Sequence, residues 1–300
     1  MATQPQIKKI PPLRIVLSGG GIRGVAHTGA LLALKQAGML KAVKEFCGVS
    51  AGGLIAFCLC IGYAVEQIRS LCIQFDFGEM RSLEPENFFS FLETYGLDSG
   101  ERIKRLYESL LRQKGLSPSI TFAELATTSP YRLRLFASDL MTIKVREFSE
   151  AKTPSISVVT ALLATSCIPC YFQPIVDPET GHLLVDGGVL NNFPLAFLTE
   201  DEKVFALGIT FSEDHVQTES IDSMIQFFER IHACFHLPRT LNIWKQNHDK
   251  IIIIPCGHYP MWDFEASSEV KEDMIKKAYT AATVFMRGKM EGPKRRYSVS

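Results

Sequence analysis

Leu13-Arg14-Ile15-Val16-Leu17-Ser18-Gly19-Gly20-Gly21-Ile22-Arg23-Gly24 sets five residues of β type against a glycine break. Residues 26–37 then take up helical spacing, so the segment reads as strand, glycine loop and helix. A second unit of the same kind follows, with a brief strand at 42–47, a tight turn at 48–53 and a helix from 54 onward. Two such units in succession predict a parallel sheet with helices on its faces, because a helical crossover returns each strand parallel to the one before.

Working outward, residues 65–126 read as helical, with an amphipathic piece at 101–114 and a break at 96–100. Strands are expected at 131–138, 145–148, 183–185, 204–210 and 251–254, and helices at 157–166, 221–234 and 269–287. There is no repeat, no low-complexity segment and no Pro-, Gly- or Ser-rich linker, so residues 11–288 are expected to form one α/β domain. Residues 1–10 and 289–300 are expected to be flexible ends. In the second, Lys294, Arg295 and Arg296 suit a solvated terminus, or else a contact with anionic lipid or a kinase site at Ser298.

The chain has 300 residues, 46% of them hydrophobic and 21% charged, enough for a sizeable core. Lys+Arg and Asp+Glu are both 32, which leaves no strong field for nucleic acid. The beginning lacks the apolar run of a secretory signal, so a cytoplasmic location is expected. The apolar stretch 54–65 falls short of the roughly 20 residues that span a bilayer and reads as a buried helix. Eight cysteines, mostly in apolar segments, suggest packed, reduced thiols. Cys167-Ile168-Pro169-Cys170 has redox spacing but follows a helix rather than starting one.

The chemistry begins at Gly48-Val49-Ser50-Ala51-Gly52, a G-x-S-x-G segment between strand and helix. Gly48 and Gly52 relieve the crowding of a sharp turn, which would make Ser50 protrude at a helix N-terminus that favours developing negative charge. The bland alternative is an ordinary turn. The first glycine loop adds backbone donors that can approach an oxyanion closely, since no Cβ intervenes. Gly19-Gly20-Gly21-Ile22-Arg23-Gly24 also satisfies the dinucleotide pattern G-x-G-x-x-G, but no acidic residue ends the second strand; Cys47 stands there, leading into the serine.

A nucleophilic serine needs a base. None of the seven histidines (His27, His182, His215, His232, His236, His248, His258) stands in an evident Ser-His-Asp context. His27, within the first helix, reads as a packing or a surface residue. His232 and His236, four apart, have metal spacing without a third ligand, so no metal site is expected. Asp186, in Val185-Asp186-Gly187-Gly188, lies at the end of an apolar strand, where parallel sheets place functional groups. A carboxylate within reach of the hydroxyl, in a partly dry site that strengthens its basicity, can act without histidine. The alternative is a β-turn Asp-Gly.

The glycine loop, the G-x-S-x-G elbow and the later Asp-Gly-Gly, in that order, resemble the patatin-like phospholipase family. Further segments look like the family's: Arg23-Gly24 with Ala26-His27-Thr28-Gly29-Ala30-Leu31, then Ala164-Thr165-Ser166-Cys167-Ile168-Pro169, and Asn191-Asn192-Phe193-Pro194. The likeness covers about residues 13 to 210. Ser18 departs from it, since plant members usually carry Asp before the three glycines; the position would orient the loop rather than donate to an oxyanion.

The resemblance implies a three-layer α/β/α fold, a mostly parallel central sheet with helices on both faces, and a lipid acyl hydrolase with a Ser50–Asp186 dyad. It implies an oxyanion hole at Gly19, Gly20, Gly21 and Ala51, formed by backbone N–H groups, supported by Arg23, Gly24, Gly48, Gly52, Gly187 and Gly188. No metal or cofactor is implied. The expected partner is a phospholipid or another fatty acyl ester, met through weak peripheral contact with a lipid surface; no oligomeric interface is legible. Phe88-Phe89, Phe91 and Met261-Trp262-Asp263-Phe264 are candidate apolar lips, although each on its own suits a core better. A lipid-binding protein without turnover, a nucleotide-binding enzyme, a triacylglycerol lipase and a thioesterase are the alternatives.

Overall fold

The computed structural model describes residues 12–76, 78, 85–212, 220–263 and 265–288. The two chain ends with Ser298, His215 and Phe264, and the side chains of Phe88, His232 and His236, lie outside the described residues.

Along the chain come β1 (Arg14–Leu17), α1 (His27–Gln36), β2 (Glu45–Gly48), α2 (Ser50–Cys60), α3 (Val65–Gln74), α4 (Pro85–Thr94), β3 (Gly96–Asp98), α5 (Glu101–Gln113) and α6 (Phe122–Thr128). Then follow β4 (Arg132–Asp139), β5 (Lys144–Phe148), α7 (Val158–Thr165), β6 (Cys170–Phe172), β7 (Ile175–Val176), β8 (Leu183–Asp186) and α8 (Gly188–Asn191). The last are α9 (Glu200–Val204), β9 (Ala206–Phe211), α10 (Met224–Gln246), β10 (Ile251–Ile254) and α11 (Ser268–Met286).

Seven strands run in the order β10-β9-β1-β2-β4-β8-β7, with β5 on the other edge of β4, and β3 pairs separately with β6. Strands β10, β9, β1, β2 and β4 are mutually parallel. Alternation along each strand divides its side chains between two cores. Ile15, Leu17, Phe46, Leu135, Ile209 and Ile252 face a large core shared with α1, α2, α7 and α11. Val16, Cys47, Phe136, Ala206 and Ile251 face a smaller one, closed by Phe193, Leu195, Leu198 and Ile243 of α10. Helical segments thus cover both faces, which is the expected three-layer arrangement.

Three differences from the sequence reading have physical causes. First, α2 begins at Ser50 rather than at 54, because the glycines of the turn pack inside the helix instead of breaking it. Second, α10 continues through Pro238 to Gln246, twelve residues past the expected stop. A proline removes one helical hydrogen bond, but the buried Thr240 and Ile243 beyond it hold the continuation against the sheet. Third, β8 is not a parallel strand: it runs antiparallel to β4, pairing Ala137 with Asp186 and Asp139 with Leu184.

Candidate active site

That third difference explains how Ser50 and Asp186 meet. On β4, Leu135 pairs with both Gly48 of β2 and Phe148 of β5, so β2 and β5 lie on opposite edges. Ala137 pairs with both Arg146 of β5 and Asp186 of β8, which puts β8 on the same edge as β2. Along that edge β2 runs upward and stops at Leu135, while β8 runs downward and stops at Ala137. Asp186 is therefore at a strand end, as expected, but it arrives from beyond the carboxyl ends of the parallel strands rather than belonging to them. Two strand termini face each other across the single residue Phe136.

Thr165, at the end of α7, bridges the gap. Its hydroxyl donates to the Phe136 carbonyl at 2.6 Å and accepts the Ser50 N–H at 3.1 Å. Val49 is extended and Ser50 has φ 52°, left-handed backbone that costs a non-glycine residue roughly 1–2 kcal/mol. The neighbouring glycines permit the bend. A Cβ at Gly48 would lie 2.5 Å from the backbone of Gly52 and Gly53, and one at Gly52 would lie 2.5 Å from the carbonyls of Leu17 and Ser18.

Asp186 is only 7% exposed. Burial pushes its carboxyl up to about 6, partly offset by the Gly188 N–H, 2.7 Å from Oδ1, and by a hydrogen bond with the Ser50 side chain. Desolvation is the dominant cause, so this carboxylate is a stronger base than a free aspartate.

Each peptide of the glycine loop is pinned on one side. The Ser18 carbonyl accepts from His27 Nε2 at 2.9 Å. The Gly19 N–H donates to the Asn192 carbonyl at 2.9 Å, and the Gly19 carbonyl accepts from Asn192 Nδ2 at 3.0 Å. The Gly20 carbonyl accepts the Arg23 N–H at 3.1 Å. Gly19 is thereby corrected: its N–H is committed to Asn192 and is unavailable as an oxyanion donor. The N–H and C=O of a trans peptide point oppositely, so fixing the Gly19 and Gly20 carbonyls aims the Gly20 and Gly21 N–H groups the other way. Those two N–H groups and that of Ala51, in the first turn of α2, have no protein acceptor among the described residues.

Gly20, Gly21, Ser50 and Asp186 line one cavity of about 290 Å³, walled largely by apolar side chains that include Ile168, Val189, Met261 and Trp262. Arg23 supports it from behind, its guanidinium donating to the carbonyls of Tyr259 at 2.7 Å and Gly257 at 3.1 Å, while the Ile22 N–H donates to the Met261 carbonyl at 2.9 Å. Gly24 allows close packing on α2, since a Cβ there would meet Ala51 Cβ at 2.5 Å. Gly187 abuts the Phe136 carbonyl, and the Gly188 N–H reaches Asp186.

Thr165 and Asn192 stood in quoted segments, but nothing in the chain order showed that one braces the elbow and the other the loop. His27 is fully buried, and burial pushes its imidazole down to about 4, so it stays neutral and donates from Nε2. Ser18 is buried too, and its carbonyl rather than its hydroxyl holds the loop to His27. Cys167 is buried, with its thiol pushed up to about 12 chiefly by desolvation, which disfavours a redox pair with Cys170. Met261 and Trp262 line the cavity, and Phe89 is exposed. Among the described residues no group of His, Cys, Asp and Glu is arranged to hold a metal ion.

A buried carboxylate, a serine on a strained elbow and the unpaired N–H groups of Gly20 and Gly21 thus meet at one cavity of a three-layer α/β/α scaffold. The chain belongs to the patatin-like phospholipase family, whose model matches residues 15–199. It is 29% identical over 291 residues to the uncharacterized protein YqhO of Bacillus subtilis, covering 91% of this chain and 97% of that one. It is 33% identical over 183 residues to the probable lipid hydrolase 463L of Invertebrate iridescent virus 6, covering 60% of this chain and only 61% of the viral protein. Among solved structures it resembles VipD from Legionella pneumophila, with a TM-score of 0.63 at 16% identity over 93% of this chain and 67% of VipD, a likeness of fold.

Proposed function

We propose that this chain is a serine esterase of fatty acyl lipids, of phospholipase A type, carried out by a single domain spanning residues 11–288. The observation that carries the reading is the buried Asp186 carboxylate set against the Ser50 hydroxyl. Asp186 takes the hydroxyl proton as Ser50 Oγ bonds to the ester carbonyl carbon, and the carbonyl oxygen becomes an oxyanion held by the N–H groups of Gly20, Gly21 and Ala51. Collapse of that intermediate expels the alcohol, which leaves with the proton from Asp186. An acyl-Ser50 ester remains; water, losing its proton to Asp186, attacks it in turn and releases the fatty acid, and the proton returns to Ser50.

Apolar walls around a small polar centre suit an acyl chain, and the name of the viral relative, a probable lipid hydrolase, agrees with that substrate class. Among the described residues no helix is long and apolar enough to cross a membrane, so lipid would be met by peripheral contact.

A fluorophosphonate probe should label Ser50, located by peptide mass spectrometry, and incubation with mixed phospholipids should release fatty acid and lysolipid. Failure of labelling together with absence of any ester product would overturn the reading. Removing the side chain that pins the Gly19–Gly20 peptide, by Asn192→Ala, should lower kcat about 10- to 100-fold on a soluble ester while KM changes little, because the misaimed Gly20 N–H is needed only in the transition state. Full kcat in that variant would exclude the positioning role.

A further inference from the structure

The β4–β5 hairpin turns through Leu140, Met141, Thr142 and Ile143, and three of these are large apolar side chains facing solvent. Met141 is 65% and Ile143 78% exposed, with Leu140, Val145 and Val176 of neighbouring β7 also exposed. The turn is firmly built. The Ile143 N–H donates to the Asp139 carbonyl at 2.9 Å, Asp139 Oδ1 accepts the Met141 and Thr142 N–H groups at 2.8 and 3.1 Å, and the Leu140 N–H donates to the Leu183 carbonyl at 3.0 Å. Asp139 also pairs with His182 Nδ1 at 2.8 Å. A rigid turn that presents apolar side chains to water gains no folding stability from them, which points to a use outside the fold.

Its place is informative. Ala137 pairs with Asp186, and β4 continues outward from there, so at about 3.4 Å per residue the tip stands roughly 10–14 Å beyond the level of the dyad, on the side where the strands end and the cavity lies. Other exposed apolar side chains share that side. Phe89 and Leu92 lie on α4, which leads into β3 and so to Cys170 at the cavity wall, and Ile231 of α10 is itself part of the wall. Beside the tip, Lys144 is exposed and enters no ion pair among the described residues, leaving a cation at the level where a lipid surface carries phosphate.

We infer that the hairpin tip, Leu140 to Ile143, is an anchor for a phospholipid surface, dipping Met141 and Ile143 into the interface so that the cavity mouth faces the lipid it draws from. The inference rests on the acyl hydrolase reading for its choice of lipid as occupant. Apolar side chains entering the acyl boundary supply affinity in proportion to the area they bury, and the flanking Lys144 adds attraction to anionic headgroups.

The test uses the whole chain and the double variant Met141→Asp with Ile143→Asp, both at exposed positions. Wild-type protein should co-sediment with vesicles of phosphatidylcholine and phosphatidylglycerol, and the variant should lose at least about tenfold in binding and in vesicle-lipid hydrolysis. Turnover of a soluble short-chain p-nitrophenyl ester should stay within about twofold of wild type. Thr142→Trp should raise vesicle binding several-fold with an unchanged thermal unfolding midpoint, which separates a gain at the tip from misfolding. Equal vesicle binding by wild type and the aspartate variant overturns the anchor, as does a wild-type dimer in analytical ultracentrifugation that the same variant dissolves. Binding that depends on the tip, in a protein that cleaves neither soluble nor vesicle ester, would leave the anchor standing and remove the hydrolase reading instead.

Discussion

Ser50→Ala is expected to lower esterase turnover at least about a thousandfold while leaving the fold intact, as read by initial rates on a soluble ester and by thermal unfolding. The size of the loss follows from deleting the only group that would form the acyl bond; what remains is the residual help of the N–H groups and binding, which in triad enzymes is worth 10³–10⁴ over water. Stability should fall only slightly, because the Ser50 side chain faces the cavity, its N–H bond to Thr165 is made by backbone, and Asp186 keeps the Gly188 N–H when the hydroxyl is lost. Ser50→Gly should be just as inactive but about 1 kcal/mol more stable than the alanine variant, since glycine takes φ 52° without strain. Full turnover by either variant would refute the assignment of the nucleophile.

Asp186→Asn is expected to abolish turnover and, unusually for an active-site change, to make the protein more stable at neutral pH. The carboxyl is raised by burial from 3.8 to about 6, so the folded chain holds this proton more tightly than the unfolded chain does. The favourable contribution of Asp186 to folding is therefore complete below about pH 3.8 and is lost as pH rises through about 6, leaving the ionised carboxylate a net cost above that. A shift of roughly two pH units corresponds to about 3 kcal/mol. Asparagine keeps an Oδ1 for the Gly188 N–H and carries no charge to bury. Its stability advantage should be largest near pH 7 and shrink as the pH falls from 6 toward 4. Wild-type activity should decline over the same interval as Asp186 takes up a proton. A variant less stable than wild type at pH 7 would show that the carboxylate is better solvated than its burial suggests.

Much of this site was legible because its glycines sit where close approach demands them. The elbow needs Gly48 and Gly52 against backbone only 2.5 Å from a would-be Cβ, and such positions announce themselves in a sequence as a fixed spacing. Asp186 was legible as a strand-end carboxylate, but the direction of its strand was not, because periodicity is the same in parallel and antiparallel strands and only pairing partners distinguish them. The occupied N–H of Gly19 was hidden for a related reason: its acceptor, the Asn192 carbonyl, lies 173 residues away and is a backbone group that any residue could supply. The run of α10 past Pro238 escaped because a local breaker was overruled by burial of Ile243.

The meeting of β2 and β8 on one edge of β4 gives the enzyme a built-in ruler. The gap between Ser50 and Asp186 is measured by the register of a single strand, Leu135 opposite Gly48 and Ala137 opposite Asp186, not by the 135 residues of chain that separate them. Intervening segments that contribute neither to β4, nor to the Thr165 brace, nor to the cavity wall can lengthen or shorten without moving the pair, so long as two backbone pairings on β4 are kept. A one-residue slip of either strand would turn its terminal side chain to the opposite face and separate the pair at once. Such a scaffold tolerates drift in what lines the cavity while holding fixed the serine and the carboxylate at its base.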